Sequence, residues 1–335
     1  MGELVLSRHW QPLSGGEVQC NLCPRRCRLK AGQMGVCMGR ENIEGKLYAS
    51  NFGQVVTLAI DPIEKKPLYH FHPGARILSV GPNGCNLRCQ NCQNWQISQH
   101  THPTRFIPPA DLVDMAIHAH SVGIAYTYAE PLIWFEYIIE AAPIARKRGL
   151  KTVLVSNGYV NEEPYRELLP HIDAINIDVK SMRPEFYTHV CNGSLPDVLR
   201  AVRMTAAHRV PLEITYLIIT GLNDSDSDFE LLADFVAGVN DRIPVHFSRY
   251  FPNNEMTAPP TPLERLQRAY DIAARRLKYV YLGNVEIAGT GDTYCPKCHS
   301  AVIRRHGFGS ELTGIKGRRC KKCQEEIDLW LNDHA

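Results

Sequence analysis

Short β-rich segments alternate with amphipathic segments through the middle of this 335-residue chain, and this alternation strongly constrains the fold. Strands that alternate with helices predict parallel pairing and right-handed crossovers. Six such units fit a partial (β/α)6 barrel, whereas a closed barrel would need eight. A doubly wound α/β sheet is the alternative, since periodicity alone does not distinguish the two. The predicted strands are 77–80, 124–128, 152–156, 174–179, 212–220 and 245–250, and the predicted helices are 110–120, 132–148, 195–207, 228–236 and 262–277.

Composition limits the classes of protein to which the chain can belong. Hydrophobic residues make up 44% of the sequence and charged residues 21%, which is ordinary for a globular protein. The formal net charge of +2 gives no overall reason to expect nucleic-acid binding. No apolar run is long enough to span a membrane and the first residues lack a signal-peptide pattern, so we expect a cytoplasmic protein. Twelve cysteines in such a protein indicate metal binding rather than disulfides.

Three cysteines follow the first predicted strand within eight residues: Cys85, Cys89 and Cys92. Three thiolates can bind three irons of a 4Fe–4S cluster, and no fourth cysteine lies nearby in the sequence. The fourth iron would be open to a small molecule, unlike structural zinc with its four closed ligands. A chance group of buried or zinc-binding cysteines is the alternative. This spacing, at the end of a first strand, resembles the signature of the radical S-adenosylmethionine (SAM) superfamily.

The resemblance implies a specific chemistry. In that superfamily the open iron chelates the amino and carboxylate groups of SAM. Reduction of the cluster cleaves SAM to methionine and a 5′-deoxyadenosyl radical, which abstracts hydrogen from a substrate that the sequence does not identify. Because such clusters have reduction potentials on the order of several hundred millivolts negative, a flavodoxin or ferredoxin is implied as electron donor.

The segment after the second predicted strand, Thr127-Tyr128-Ala129-Glu130-Pro131, resembles the Gly-Gly-Glu-Pro motif of the same superfamily. That motif contacts the amino group of SAM, which makes Glu130 a candidate SAM-binding residue. Tyr128 and Ala129 replace the two glycines of the motif. A simple helix start is the alternative, because an acidic residue followed by proline suits the first turn of a helix.

Two later strand ends supply the other candidates for binding SAM. Asn157, within Ser156-Asn157-Gly158, resembles the segment that meets the SAM ribose and carboxylate in glycyl-radical activating enzymes, although Asn-Gly is also an ordinary turn. Asp178 and Lys180 lie two residues apart on one face of the fourth strand and resemble an Asp-x-Lys segment beside SAM; an exposed ion pair is the alternative. His246 is a secondary candidate, and no catalytic residue is assigned.

Residues 61–74, 93–98 and 20–24 make the resemblance more specific. They are similar to the radical SAM member of the AmmeMemoRadiSam system, a group related to the pyruvate formate-lyase activating enzyme. This resemblance covers almost the whole chain and implies Memo-like and Ammecr-like partner proteins. Asn91 departs from the pattern, since relatives carry an aromatic residue there that packs near the adenine of SAM. From the residues alone, we expect 61–74 to form a salt-bridged loop over the barrel.

The N-terminal region, residues 1–74, contains four closely spaced cysteines: Cys20, Cys23, Cys27 and Cys37. Four thiolates this close together could close one metal site, and free thiols are the alternative. Zinc and an auxiliary iron–sulfur cluster both suit thiolate ligands, so the sequence leaves the choice between them open.

The C-terminal region, residues 286–335, contains two Cys-x-x-Cys pairs, Cys295 with Cys298 and Cys320 with Cys323. Two such pairs at this separation indicate a zinc-ribbon-like module, whose folding energy comes from the metal. From Cys295 to Cys323, eight Lys and Arg residues against one Glu give a charge of +7. The module could therefore bind nucleic acid or another anionic partner, and a solvated basic face is the alternative.

Residues 75–285 are predicted to form the barrel. Three functions are consistent with these features. The first is a radical SAM enzyme that modifies a small molecule or RNA. The second is an activating enzyme that installs a glycyl radical on a partner protein. The third, of a different class, is a non-catalytic metal-rich module that binds nucleic acid or protein.

We expect the remaining cysteine, Cys191, to be a small buried residue; hydrogen-atom donation to a substrate radical is the alternative.

Overall fold

The computed structural model of the protein describes residues 4–331. Within them one sheet of eight strands forms the centre of the fold, and we number its strands along the chain. The strands are β1 (Thr57–Pro62), β2 (Arg76–Gly81), β3 (Gly123–Tyr126), β4 (Lys151–Ser156), β5 (Ala174–Asp178), β6 (Leu212–Ile218), β7 (Val245–Arg249) and β8 (Val280–Gly283). Strands β2 to β8 are parallel to their neighbours, and β1 pairs antiparallel with β2 at one edge.

The strand order decides between the two α/β folds. Each strand pairs with the next one along the chain, so the order runs from β8 to β1 without a reversal. A doubly wound sheet reverses its order at a switch point and carries helices on both faces. Sequential parallel strands with right-handed crossovers place their helices on one face instead, as in a β/α barrel. The predicted α/β fold is therefore confirmed, and its strand order is that of an open barrel.

All six predicted strands are present, and the sheet has two further strands that were not predicted. β8 is an apolar run of only four residues that comes soon after a predicted helix, so its pattern does not stand out in the sequence. β1 contains Asp61 and Pro62, and both residue types are rare in strands. Proline is tolerated in β1 because this strand lies at the edge of the sheet.

Helices connect the strands. One of them, Asp226–Asn240, begins with a capping box in which the Ser225 hydroxyl accepts from the N–H of Asp228 and the Asp228 carboxylate accepts from the N–H of Ser225. Its buried side chains, from Phe229 to Val236, recur at helical spacing and join the core against the sheet. None of the helices in residues 4–331 is long and apolar enough to cross a membrane.

The other helices match the predictions in part. The helix Glu162–Leu168 was not predicted, and the predicted helix that begins at residue 132 is a short 3-10 helix, Pro131–Trp134, followed by an α-helix. The α-helices besides Asp226–Asn240 are Trp95–Gln99, Pro109–His118, Phe135–Lys147, Glu162–Leu168, Pro184–Phe186, Leu195–Ala207 and Leu263–Ala273, with a π-helical turn at Tyr187–Cys191.

Both terminal regions consist of short antiparallel strands. Near the N-terminus these are Val5–Leu6, Trp10–Pro12, Val18–Cys20, Arg28–Leu29, Glu41–Ile43 and Lys46–Ala49. Near the C-terminus they are Thr293–Tyr294, Ala301–His306, Gly309–Glu311, Ile315–Lys316 and Arg319–Cys320. Gln54–Val55 also pairs with Arg105–Phe106.

Residues 61–74 connect the sheet to the C-terminal region. Asp61 binds Lys66 Nζ at 2.7 Å, so the segment contains the salt bridging that we expected. At its far end, the backbone N–H of Trp330 donates to the carbonyl of His70 at 2.9 Å. The C-terminal strands are thereby held beside the barrel by backbone pairing.

Candidate active site

A cavity of about 600 Å³ lies at the carboxyl ends of the strands. The loops after β2, β3, β4 and β5 all contribute to its wall, as expected for a parallel α/β fold. Seven residues that the sequence singled out as cluster ligands or SAM contacts line this one cavity. They are Cys85, Cys89, Cys92, Glu130, Asn157, Asp178 and Lys180.

The sulfurs of the loop after β2 accept or share hydrogen bonds on the wall of the cavity. The Cys85 sulfur accepts from the Leu87 N–H at 3.3 Å and from the Asn157 side-chain amide at 3.5 Å, and the Cys92 sulfur lies 3.1 Å from the Ser98 hydroxyl. Burial raises the pKa of the Cys85 and Cys92 thiols, so they do not ionise readily without a positive partner. A metal centre would supply that positive charge. The cysteine sulfurs of this loop are therefore suited to binding a metal centre.

The spacing of these sulfurs fits a cluster better than a single ion. Within the described part of the chain, only the C-terminal group has three or more His, Cys, Asp or Glu ligand atoms that all lie within 4.8 Å of one another. The sulfurs of Cys85, Cys89 and Cys92 therefore do not all lie within 4.8 Å of one another. A 4Fe–4S cluster suits this wider spacing because each thiolate binds a different iron.

Cys191 lies directly behind this loop. Its thiol is buried beside that of Cys89, and its carbonyl accepts from the N–H of Arg88 at 2.9 Å. The cavity wall includes Cys89 but not Cys191. Cys191 is therefore a small buried residue that packs behind the cysteine loop and does not face the cavity.

Glu130 joins the loops after β3 and β4. One carboxylate oxygen accepts from the Leu132 N–H at 3.0 Å and the Ser156 hydroxyl at 2.7 Å, and the other accepts from the Asn157 N–H at 2.8 Å. The bond to Leu132 caps the 3-10 helix, so the helix-start interpretation describes the local structure while the side chain also lines the cavity. Burial raises the pKa of Glu130 to about 7, although these hydrogen bonds favour the ionised form. A cationic ligand would favour the carboxylate.

Tyr128, which stands where the motif has a glycine, has a φ of 68° in the left-handed region. Its hydroxyl donates to Asp61 at 2.5 Å, and Lys66 Nζ lies 4.5 Å from the centre of its ring. Burial favours the neutral form of Asp61, but hydrogen bonds from Lys66, Tyr128 and Lys65 outweigh it and hold the pKa of Asp61 below its usual range. These contacts offset a backbone strain of about 1–2 kcal/mol that glycine would avoid.

The Asn157 side chain forms a turn and also contacts the cysteine loop. Its oxygen accepts from the Tyr159 N–H at 2.8 Å, which is the ordinary turn pattern. Its nitrogen donates to the Asn86 side chain at 2.9 Å and to the Cys85 sulfur at 3.5 Å. The turn interpretation therefore describes the local structure, and the contact of Asn157 with SAM stays a prediction.

Asp178 and Lys180 form an ion pair of 3.2 Å on the cavity wall. The Asp178 side chain is 38% exposed and the Lys180 side chain 22%, so both can be reached from the cavity. Burial alone would lower the pKa of Lys180, but Asp178, Cys89 and Cys191 outweigh it and raise that pKa. Lys180 therefore keeps its positive charge beside the cysteine loop.

Several cavity residues were not singled out from the sequence. Lys66 and Tyr69 come from the segment after β1, and Phe308 comes from the tip of a hairpin in the C-terminal region. Lys66 and Tyr69 belong to residues 61–74, which we expected to lie over the barrel. No sequence signal connects Phe308 to the cavity, because its position depends on tertiary packing. The secondary candidate His246 does line the cavity, and its Nε2 lies 2.7 Å from the buried Glu213 carboxylate.

The four C-terminal cysteines form a compact site. The sulfurs of Cys295 and Cys323 lie 3.5 Å apart and those of Cys298 and Cys320 lie 3.6 Å apart. Zn–S bonds of about 2.3 Å in a tetrahedron would separate the sulfurs by about 3.8 Å. The donor set and spacing therefore fit one tetrahedral metal ion.

The four N-terminal cysteines also face a common space. Cys20, Cys23, Cys27 and Cys37 line a second, small cavity together with Arg40. The guanidinium of Arg40 is buried and pairs with the Glu136 carboxylate at 2.6 Å. Burial raises the pKa of Cys20 to about 12, so four free thiolates would not persist here without a metal.

Comparison with known proteins relates these motifs to a family. The family described as the Radical SAM superfamily matches residues 80–236, a range that includes the three cysteines and all four candidate SAM contacts. An uncharacterized protein of Methanocaldococcus jannaschii is 41% identical over 330 residues, covering 96% of this chain and 98% of that protein. The pyruvate formate-lyase 1-activating enzyme of Escherichia coli is 25% identical over 171 residues, covering 49% of this chain and 69% of that protein.

Solved structures show the same architecture. The crystal structure of a radical SAM methyltransferase from Sphaerobacter thermophilus has a TM-score of 0.51 at 13% identity, over 83% of this chain and 76% of that chain. Streptococcus suis SuiB bound to S-adenosylmethionine has a TM-score of 0.50 at 12% identity, over 64% of this chain and 50% of that chain. At these identities the likeness concerns the fold alone.

Proposed function

The chain belongs to the radical SAM superfamily, and on that premise we propose that its 600 Å³ cavity binds a 4Fe–4S cluster and SAM. Three thiolates would each bind one iron and leave the fourth iron open. The cluster ligands are Cys85, Cys89 and Cys92, and the residues that hold SAM are Glu130, Asn157, Asp178 and Lys180.

A single observation carries this proposal. Residues from four separate loops converge on one cavity, and they supply the thiolate, carboxylate, amide and ammonium groups that a cluster and a zwitterionic ligand need. A chance group of buried cysteines would not require a carboxylate and an ion pair on the same wall. The convergence therefore supports an enzyme site over a non-catalytic metal module.

The chain's own groups have distinct tasks in this site. The Glu130 carboxylate would bind the ammonium group of SAM, while its three hydrogen-bond donors fix its orientation. Lys180 and Asp178 would position the remaining polar groups of the ligand. Apolar side chains limit water beside the reacting atoms; they include Phe186, Leu217 and Ile219. When bound and reduced, the cluster supplies the electron that cleaves SAM to methionine and a 5′-deoxyadenosyl radical.

Substitution of Glu130 tests the proposed SAM contact. The variant Glu130→Gln removes the negative charge and should weaken SAM binding at least about tenfold, because a hydrogen bond to a charged group contributes about 1.5–3 kcal/mol. The matched control is Glu140→Gln, an exposed position on the helix Phe135–Lys147. Affinity is measured by titrating SAM into anaerobic, cluster-reconstituted protein. Equal affinities for the two variants would refute the assignment of Glu130.

Glycyl-radical activation is a second candidate function. The similarity to the Escherichia coli pyruvate formate-lyase 1-activating enzyme favours it. The test is to mix the reduced, SAM-loaded protein with a candidate glycyl-radical protein and to record the electron paramagnetic resonance (EPR) spectrum. A glycyl-radical signal that requires the cluster cysteines would support this function, and its absence would favour another substrate.

The finer assignments concern metal and partners. We infer that the four C-terminal thiols bind zinc, since their spacing fits it, and that a flavodoxin or ferredoxin donates electrons. Residues 61–74 support the AmmeMemoRadiSam assignment, with Memo-like and Ammecr-like proteins as partners. Metal analysis tests the zinc, and co-purification from cells tests the partners. The basic residues near the C-terminal cysteines could attract an anionic substrate, either nucleic acid or protein. Direct binding measurements with each class of substrate test this possibility.

A further inference from the structure

The N-terminal cysteine site, which consists of Cys20, Cys23, Cys27 and Cys37, is the second metal site near the barrel. All four residues line one cavity, and its wall also includes Leu22, Ile133 and Arg40. Three of the four cysteines are buried, so the site is enclosed rather than open to solvent. Four sulfurs around an enclosed space leave a choice between a single zinc ion and an iron–sulfur cluster.

The spacing of the sulfurs in this chain decides between them. The C-terminal sulfurs are the only such group in residues 4–331 whose ligand atoms all lie within 4.8 Å, and there the separations of 3.5 and 3.6 Å suit one tetrahedral ion. No three sulfurs of the N-terminal cysteine site meet that limit. In this they match Cys85, Cys89 and Cys92, whose wider spacing belongs to a cluster. Two of the three cysteine groups therefore have sulfurs that are more widely spaced than the four that suit a single tetrahedral ion.

The N-terminal cysteine site is also joined directly to the loop that holds the proposed SAM cluster. Arg25, on the wall of the N-terminal cavity, donates to the carbonyl of Asn86, and Arg88 donates to the carbonyls of Val36 and Cys85. Gly84 has a φ of 101°, and a side chain there would collide with the carbonyl oxygen of Cys37. Backbone of the two cysteine loops is thus in van der Waals contact.

We propose that the N-terminal cysteine site binds a second 4Fe–4S cluster and not zinc. Four cysteine ligands saturate all four irons, so this cluster has no open position for SAM or for a substrate. It can gain and lose single electrons, and it lies against the loop of Cys85, Cys89 and Cys92. The chain is therefore a two-cluster protein with one separate zinc-type site at the C-terminal end.

Metal analysis of the full-length protein tests this assignment. Anaerobically reconstituted wild type should contain about eight irons and about eight sulfides per chain, together with about one zinc. The variant Cys23→Ser/Cys37→Ser should lose about half of the iron and sulfide and keep its zinc. Cys298→Ser/Cys323→Ser is the matched control, and it should lose zinc and keep all of the iron.

The response to SAM separates this proposal from the proposed function. With Cys23→Ser/Cys37→Ser, the remaining reduced cluster should still change its EPR spectrum when SAM is added. With Cys89→Ala, the EPR spectrum of the remaining reduced cluster should not change when SAM is added. If the variant does not fold, the iron count and Mössbauer spectrum of wild type decide the question alone. About four irons and two zincs in wild type, or an unchanged iron content in Cys23→Ser/Cys37→Ser, would overturn the proposal.

Discussion

His70 should make the attachment of the C-terminal region sensitive to acid. Its ring is fully buried, with Nδ1 2.6 Å from the carbonyl oxygen of Asp328 and Nε2 2.6 Å from the hydroxyl of Tyr281. Because a carbonyl only accepts, Nδ1 carries the hydrogen, and Nε2 of the neutral ring accepts from Tyr281. Because the ring is fully buried, a second proton on Nε2 would place an unsolvated positive charge there, so the neutral ring is the form that burial favours.

The size of the effect follows from two pKa values. Burial lowers the pKa of His70 from 6.5 to about 4, even though the Glu213 carboxylate acts in the opposite direction. Between these values the unfolded chain binds a proton and the folded chain does not, so stability falls as pH is lowered through this window. Proton linkage gives a loss of about 1.4 kcal/mol at pH 5.5 and close to none at pH 7.5.

Hydrogen exchange measures this loss of stability at the backbone pairing between residues 70–72 and Trp330. The N–H of Trp330 donates to the His70 carbonyl, and the N–H of His72 donates to the Trp330 carbonyl. After correction for intrinsic exchange rates, protection of these amides should fall about tenfold more in wild type than in His70→Asn between pH 7.5 and 5.5. Asparagine can still donate to Asp328 but cannot take up a proton. The exposed His306→Asn serves as control, and an equal pH dependence in wild type and His70→Asn would refute the reasoning.

Three further perturbations test the packing around the metal sites. Arg40→Met leaves the buried Glu136 carboxylate without its ion-pair partner and should cost about 3–5 kcal/mol in urea unfolding, whereas a loss below about 1 kcal/mol would contradict the account. Cys298→Ser should release the C-terminal metal and expose residues beyond about 290 to limited proteolysis, since the metal supplies the folding energy there; unchanged resistance would argue against a structural metal. Gly84→Ala should lower the melting temperature more than Gly149→Ala, because both glycines have positive φ but only Gly84 has backbone within collision distance. Equal shifts would mean that the two cysteine loops are not in close contact.

The local patterns of the sequence were sufficient to predict six of the eight strands of the sheet and to bring the predicted site residues to one cavity. Six of its strands follow from short apolar runs, and Cys85, Glu130 and Asn157 lie in the loops that follow three of these runs. Because the carboxyl ends of parallel strands meet at one edge of a sheet, sequence position alone brings those residues together. The prediction succeeded where position along a strand determines position in space.

Other parts depend on contacts between distant segments and could not be predicted. Tyr128 adopts a left-handed φ because its hydroxyl reaches Asp61, which lies 67 residues earlier in the chain. Phe308 lines the cavity only because the C-terminal strands dock against residues 61–74. Neither contact leaves a periodic or spacing signal, so propensity and motif arguments do not reveal it.

Production of 5′-deoxyadenosine is the most direct test of the proposed function. The measurement uses anaerobically purified, cluster-reconstituted protein with dithionite and SAM, and it quantifies 5′-deoxyadenosine by chromatography. The account predicts that wild type forms 5′-deoxyadenosine and that Cys89→Ala does not, because Cys89, which lines the cavity, is one of the three proposed ligands to the SAM cluster. Absence of the product from wild type, with a reduced cluster whose EPR spectrum does not respond to SAM, would contradict the account.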